Sequence, residues 1–184
     1  MSRSISTRTG DDGTTGLLYG RRLPKDHPQI EAMGSLDEFN AALGLAKATS
    51  TDAGRKAAIE RIQHDLVALM GEIACAEADE PRHAVARFAK VVEADLARID
   101  AAVAAIEAKE VKSDGWATPG ATHHAAALDL ARTAARRAER RVVALSRYVK
   151  TVRPLLLQYL NRVSDLLWLM AREAEDPAGK ARQS

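Results

Sequence analysis

Ile59-Glu60-Arg61-Ile62-Gln63-His64-Asp65-Leu66-Val67-Ala68-Leu69-Met70-Gly71-Glu72-Ile73-Ala74-Cys75-Ala76 decides the fold class. Its apolar residues Ile59, Ile62, Leu66, Leu69, Ile73 and Ala76 alternate steps of three and four, which an α-helix turns into one seam facing a neighbouring helix. The same rhythm recurs on both sides of this stretch. Upstream, Leu36, Phe39, Leu43 and Ala46 predict a helix beginning at Ser35, where Ser35-Leu36-Asp37-Glu38 has the form of a capping box. Downstream, Val85, Phe88, Val92, Leu96, Ile99, Val103 and Ile106 predict a third helix, and Ala131, Ala135, Ala138, Val142 and Leu145 a fourth. Leu156, Leu160, Val163, Leu167 and Met170 predict a fifth. Segments of roughly 15 to 25 residues make rods of comparable length that lie side by side. The expected fold is all-α, a bundle of five helices.

The connections fit that reading. Thr49 to Gly54 separates the first two helices, Asp79-Glu80-Pro81-Arg82 the next two, and Arg153-Pro154 opens the last. A chain of 184 residues is within the range of one domain with a proper core. A net charge of +2 is too small to imply nucleic acid by bulk electrostatics, and aromatics, at 4%, do not interleave with the basic residues to stack bases. Cys75 is the only cysteine, which excludes an internal disulfide. No apolar run is long enough for a membrane span or shaped like a signal peptide, so a cytoplasmic location is the default expectation.

Two stretches carry more than fold. Thr7-Arg8-Thr9-Gly10-Asp11-Asp12-Gly13-Thr14-Thr15-Gly16 combines glycines, whose backbone N–H groups can converge on an anion, with hydroxyl donors and a guanidinium. Its two aspartates suit Mg²⁺ or its waters. It lacks the Gly-Lys-Ser/Thr of a P-loop, and by composition alone such an N-terminus is more often a flexible tail. On the fourth helix, Arg132, Arg136, Glu139 and Arg140 share one face, with Arg137 and Arg141 on its flank. Such a face is either solvated or a cradle for triphosphate, which the planar fork of arginine suits. Asn161 and Asp165 interrupt the leucines of the last helix. Trp116 stands in a Gly/Pro-rich loop, as a cap over the bundle end or as a ligand contact. His123 and His124 point about a hundred degrees apart at a helix start and lack a third ligand, so they read as exposed first-turn residues.

In three separated blocks the chain resembles the PduO-type ATP:corrinoid adenosyltransferases: residues 7–16, Gly34-Ser35-Leu36-Asp37-Glu38-Phe39-Asn40, and residues 131–141 followed by Leu160-Asn161-Arg162-Val163-Ser164-Asp165. Order and separation match from Thr7 to about Glu175. The resemblance implies a ferritin-like five-helix bundle that assembles as a homotrimer, with ATP at subunit interfaces. It divides the single domain 1–184 into an ATP-binding loop (1–26), a helical bundle (35–175) and a flexible tail (176–184). The implied reaction is attack of the cobalt of cob(I)alamin or a related corrinoid on the 5′ carbon of ATP, giving adenosylcobalamin and triphosphate. No side-chain nucleophile is required, and none stands in a recognisable constellation.

The resemblance also distributes roles. Thr7, Arg8, Thr9, Gly10, Asp11, Gly13, Thr14, Thr15, Gly16 and Lys25 bind ATP from the loop, and Arg136, Arg137, Glu139, Arg140 and Asn161 from the helices. Arg136 and Arg140 donate to phosphate, Glu139 orients the guanidiniums or contacts the nucleoside, and Arg132 pairs with Asp37 across the interface. Asp11 and Asp12 lie near Mg²⁺. Trp116 replaces a phenylalanine that keeps the lower axial ligand off cobalt. Further departures are Ala121 in place of a second loop glycine, Asp129 in place of a histidine, and Ser6 in place of an aromatic residue. A reductase and an adenosylcobalamin-dependent enzyme are the protein partners such an activity implies. Two rivals stand beside it: an ATP-binding regulatory or chaperone-like relative with a diverged corrinoid pocket, and a structural helical oligomer whose arginine face meets acidic partners.

Overall fold

The computed structural model of the protein describes Ser6, residues 8–109 and residues 116–175. Thr7, the start of the loop before Trp116 and the tail from residue 176 lie outside them. The elements are a hairpin of β1 (Thr14–Gly16) and β2 (Arg22–Pro24), then α1 (Pro28–Thr49), α2 (Ala53–Ile73), the short α3 (Glu80–Val85), α4 (Glu93–Glu107), α5 (His123–Tyr148) and α6 (Pro154–Glu175). The strands run antiparallel with Thr14 opposite Pro24 and Gly16 opposite Arg22.

The alanine seam makes α5 the central rod. Ala127, Ala131, Ala134, Ala135 and Ala138 are buried, and side chains this small let α1 and α6 approach the α5 backbone from two sides. Larger side chains from the neighbours fill the space: Leu36, Phe39 and Leu43 of α1, Leu160, Val163 and Leu167 of α6. The quoted seam of α2 is buried from Ile59 to Ile73 and packs on α1, while α4 packs on α6. Charges tie α2 to α4: Arg61 pairs with Asp95 at 2.9 Å, and Arg98 pairs with Asp65, which is buried. The fully buried Tyr159 of α6 donates its hydroxyl to the same Asp65 at 2.6 Å. Arg61 Nε also stands 3.3 Å from Asp65, and burying one carboxylate among these three polar partners avoids the penalty of an unpaired charge.

Three expectations need correction. First, α1 starts seven residues before Ser35, because Pro28 suits a first helical turn and His27 Nδ1 accepts from the Gln29 N–H at 3.1 Å. Ser35 is a buried interior residue of that helix, not its cap. Second, the apolar run from Val85 to Ile106 is not one helix. Its backbone leaves the helix after Val85, because Glu72 Oε1 accepts from the Val91 N–H at 3.3 Å, Arg153 donates to the Val91 carbonyl at 2.7 Å, and Asp95 caps the Val92 N–H at 3.1 Å. Val85, Phe88 and Val92 are exposed and Val91 is buried in their stead. Third, the Asp79 to Arg82 connection is a 3₁₀ turn running into α3, so the described bundle has six α-helices, five of them long, plus a hairpin.

Candidate functional site

The glycine-threonine stretch is a built loop. Asp12 Oδ1 accepts from both the Thr14 N–H (2.9 Å) and the Thr14 hydroxyl (2.8 Å), folding the chain into a local turn. The Thr14 backbone N–H above all, then its hydroxyl, holds the Asp12 carboxyl below the usual carboxylate range. Arg22, which sequence reading passed over, spans the turn: its guanidinium donates to the Thr9 carbonyl at 2.5 Å, the Thr14 carbonyl at 3.2 Å and the Thr14 hydroxyl at 2.6 Å. Gly13 has φ +80°, a region that a side chain rarely adopts. A Cβ on Gly10 would stand 3.2 Å from both Lys25 Nζ and the Thr14 carbonyl oxygen, so the lysine ammonium lies closely over the Gly10 backbone. Lys25 is thus brought onto the loop, as expected, with its N–H donating to the Gly13 carbonyl at 2.9 Å. Arg8, Thr9 and Asp11 are exposed around it.

On α5 the arginines between Arg132 and Arg141 sort into two kinds. Arg132 donates to Asp129 at 3.3 Å, Arg137 pairs with Glu38, and Arg141 pairs with Glu31 at 3.0 Å. Arg136 and Arg140, one turn apart and exposed, have no ion-pair partner among the described residues. Between them in sequence, Glu139 accepts from the Asn161 amide of α6 at 3.3 Å. Within this chain Arg132 is paired along its own helix and Asp37 is exposed. Asp129, the residue standing in place of a histidine, is 3% exposed and also receives Arg172 at 2.5 Å, a buried pair that fixes α5 against α6.

Trp116 is 94% exposed and is not buried against the bundle formed by the described residues. His123 is exposed, as expected, whereas His124 is half-buried, sharing a hydrogen bond with the Thr49 hydroxyl at 3.1 Å; burial first, then the nearby Arg55, pushes its pKa down. No group of three potential metal ligands gathers among the described residues. No described helix is long and apolar enough to cross a membrane.

A family profile described as Cobalamin adenosyltransferase matches residues 5–174. The chain is 40% identical over 179 residues to the Corrinoid adenosyltransferase PduO of Salmonella typhimurium, covering 97% of this chain and 52% of that protein. It is 38% identical over 179 residues to the Corrinoid adenosyltransferase of Bacillus subtilis, covering 95% of this chain and 88% of the relative. The chain spans about half the length of the PduO relatives from Salmonella and Citrobacter freundii. Among solved structures, a phenylalanine-to-alanine variant of a PduO-type ATP:corrinoid adenosyltransferase from Lactobacillus reuteri, complexed with cobalamin and ATP, superposes with a TM-score of 0.83 at 30% identity, covering 94% of this chain and 93% of that one.

Proposed function

This chain belongs to the cobalamin adenosyltransferase family, and from that premise we propose that it transfers the 5′-deoxyadenosyl group of ATP to the cobalt of a reduced corrinoid. In that reaction the cobalt(I) electron pair forms the bond to C5′, the C5′–O bond breaks, and its electrons leave with triphosphate. The catalytic need is therefore alignment of the two substrates and stabilisation of a polyanion as it departs.

The observation that carries the reading is the pair Arg136 and Arg140. Among the described residues these two exposed guanidiniums a turn apart have no carboxylate partner, while Arg132, Arg137 and Arg141 of the same helix each hold one and Arg147, in the last turn, lies over the Tyr148 ring. Such a pair suits the oxygens of a triphosphate. The hairpin supplies the other wall: Arg8, Thr9, Gly10, Gly13, Thr15 and Gly16 with the Lys25 ammonium over Gly10. Thr14 holds Asp12 and Arg22, so it shapes the loop while its neighbours meet ATP. Asp12 is likewise spent on Thr14 and Arg22, which leaves Asp11 as the loop carboxylate suited to a Mg²⁺ carried by the nucleotide. Glu139 and Asn161 orient the cradle from α5 and α6, and Trp116 meets the corrinoid.

The hairpin docks at the end of α2, and among the described residues no hydrogen bond or ion pair links it to Arg136 or Arg140. A homotrimer in which one subunit's hairpin faces the next subunit's α5 closes the site. Arg132 meets Asp129 through Nε alone, which leaves its terminal nitrogens for Asp37 of a neighbour. The deciding experiment mixes the protein with MgATP and chemically reduced cobalamin and follows adenosylcobalamin spectrophotometrically. Product formation supports the transferase; tight ATP binding without product identifies the regulatory relative instead.

A further inference from the structure

We propose that Tyr19 and Arg21 are positioning residues for the nucleotide: they clasp the hairpin to the corner after α2 and so set where residues 9–16 stand. This rests on the nucleotide reading above. The connection between β1 and β2 leaves the loop and reaches the segment from Ala74 to His83. Leu17 is buried, and the Leu18 N–H donates to the Ala74 carbonyl at 3.0 Å. Arg21 forks onto Asp79, with Nε at 2.5 Å and a terminal nitrogen at 3.3 Å. The Tyr19 hydroxyl stands 3.4 Å from His83 Nδ1, and the Arg82 guanidinium lies over the Tyr19 ring at 4.1 Å. His83 is itself buried and stacks on Phe88 with centroids 5.6 Å apart.

Backbone conformation at Tyr19 singles the residue out. Its φ of +67° is in the left-handed region, where glycine fits without strain and a tyrosine persists only when its surroundings hold it. Gly20 follows at φ +85°, so the turn asks for glycine-like geometry at two successive positions and carries an aromatic ring at one of them. The ring's contacts to Arg82 and His83 account for that. The corner beneath is stiff: the buried Gln29 donates to the Ile73 carbonyl at 2.7 Å and to the Cys75 carbonyl at 3.1 Å, and the buried Lys150 donates to the Cys75 carbonyl at 2.8 Å. Since the loop is internally braced by Arg22, moving its base moves the whole of it. The side chain of Arg21 is half exposed, and an exposed pair adds little to global stability, so removing it tests placement rather than folding.

The test uses the full chain with Arg21→Ala, Tyr19→Gly and the exchange Arg21→Asp with Asp79→Arg. Each single variant is expected to raise the KM for ATP about tenfold with a smaller change in kcat, and the exchange to restore KM towards that of the parent. KM within twofold of the parent in both single variants overturns the inference. Amide hydrogen exchange of residues 14–24 in the ligand-free protein separates this outcome from failure of the transferase reading. Should the parent form no adenosylcobalamin, faster exchange in the single variants and recovery in the double one still supports the clasp; unchanged exchange overturns it.

Discussion

The Asn161 amide donates to Glu139 Oε1 at 3.3 Å, bridging α6 to the one carboxylate that α5 places between Arg136 and Arg140. The bridge has a consequence for charge. A glutamate three residues beyond Arg136 can turn back onto it, and an i,i+3 pair of that kind would neutralise a guanidinium needed for phosphate. Holding Glu139 towards α6 keeps both arginines open. Asn161→Ala is therefore expected to weaken MgATP binding about five- to tenfold, the worth of one hydrogen bond, with the far-ultraviolet circular dichroism unchanged. Titration calorimetry reads it, and unaltered affinity would remove the bridge from the site.

Arg136→Ala and Arg140→Ala separate function from stability more sharply. Both side chains are exposed and neither has an ion-pair partner among the described residues, so thermal stability should move by no more than about 0.5 kcal/mol. Loss of a donor to a departing polyanion should cost roughly 10²–10³ in kcat/KM. Arg172→Ala should do the reverse. That residue is 4% exposed and paired with the buried Asp129, so its removal leaves a buried carboxylate one partner short and lowers the melting temperature first.

Acid should unfold the bundle through its capping carboxylates. Burial opposes ionisation of Asp95, but the Val92 N–H and the Arg61 guanidinium outweigh it and hold its pKa below the usual value; the Arg55 N–H does the same for Asp52. A folded-state pKa below the unfolded one gives stability that is present above the unfolded value and drains away as pH falls through the folded one. Asp95→Asn should thus melt lower than the parent at pH 7, and the two melting curves should converge as pH drops below the ordinary carboxylate range. A constant gap down to acid pH would mean that Asp95 acts through packing rather than charge.

Trp116→Ala tests the corrinoid side. An indole that is 94% exposed contributes little core, so the melting temperature should hold. Adenosylation of cobalamin should fall well below that of the parent while ATP affinity stays within about twofold. Equal losses in both would make the ring a contact between subunits.

The helices were legible where the apolar seam is buried throughout, as from Ile59 to Ile73, and where alanines mark the close approach along α5. Periodicity failed between Val85 and Val92 because side chains distant in sequence, Glu72 and Arg153, take over backbone hydrogen bonds there. No local pattern announces such partners. At the site, the loop and the arginine face could be read as residue types, but the division of the arginines into paired and unpaired could not. It depends on Glu38 and Glu31 of α1, about a hundred residues away in sequence. Arg22 was equally hidden, since one arginine after a turn looks like any other; only the antiparallel register of Gly16 with Arg22 carries its side chain back over Thr14.

That register makes Gly10 the sharpest place to probe the loop. A Cβ there would come within 3.2 Å of two atoms, and they differ in freedom. The Lys25 ammonium is the end of a flexible chain and can swing aside. The Thr14 carbonyl cannot yield as easily, because Arg22 donates to it at 3.2 Å while also gripping the Thr9 carbonyl next to Gly10. Gly10→Ala should therefore displace Lys25 and spread the turn together, removing one cation from the nucleotide wall and shifting the N–H groups that line it. The expected result is a loss of MgATP affinity of at least about tenfold with a melting temperature within about two degrees of the parent, since no core side chain is touched. Lys25→Ala provides the comparison. If the two variants lose affinity equally, the lysine charge alone accounts for the effect; a larger loss in Gly10→Ala assigns the remainder to the backbone of the turn.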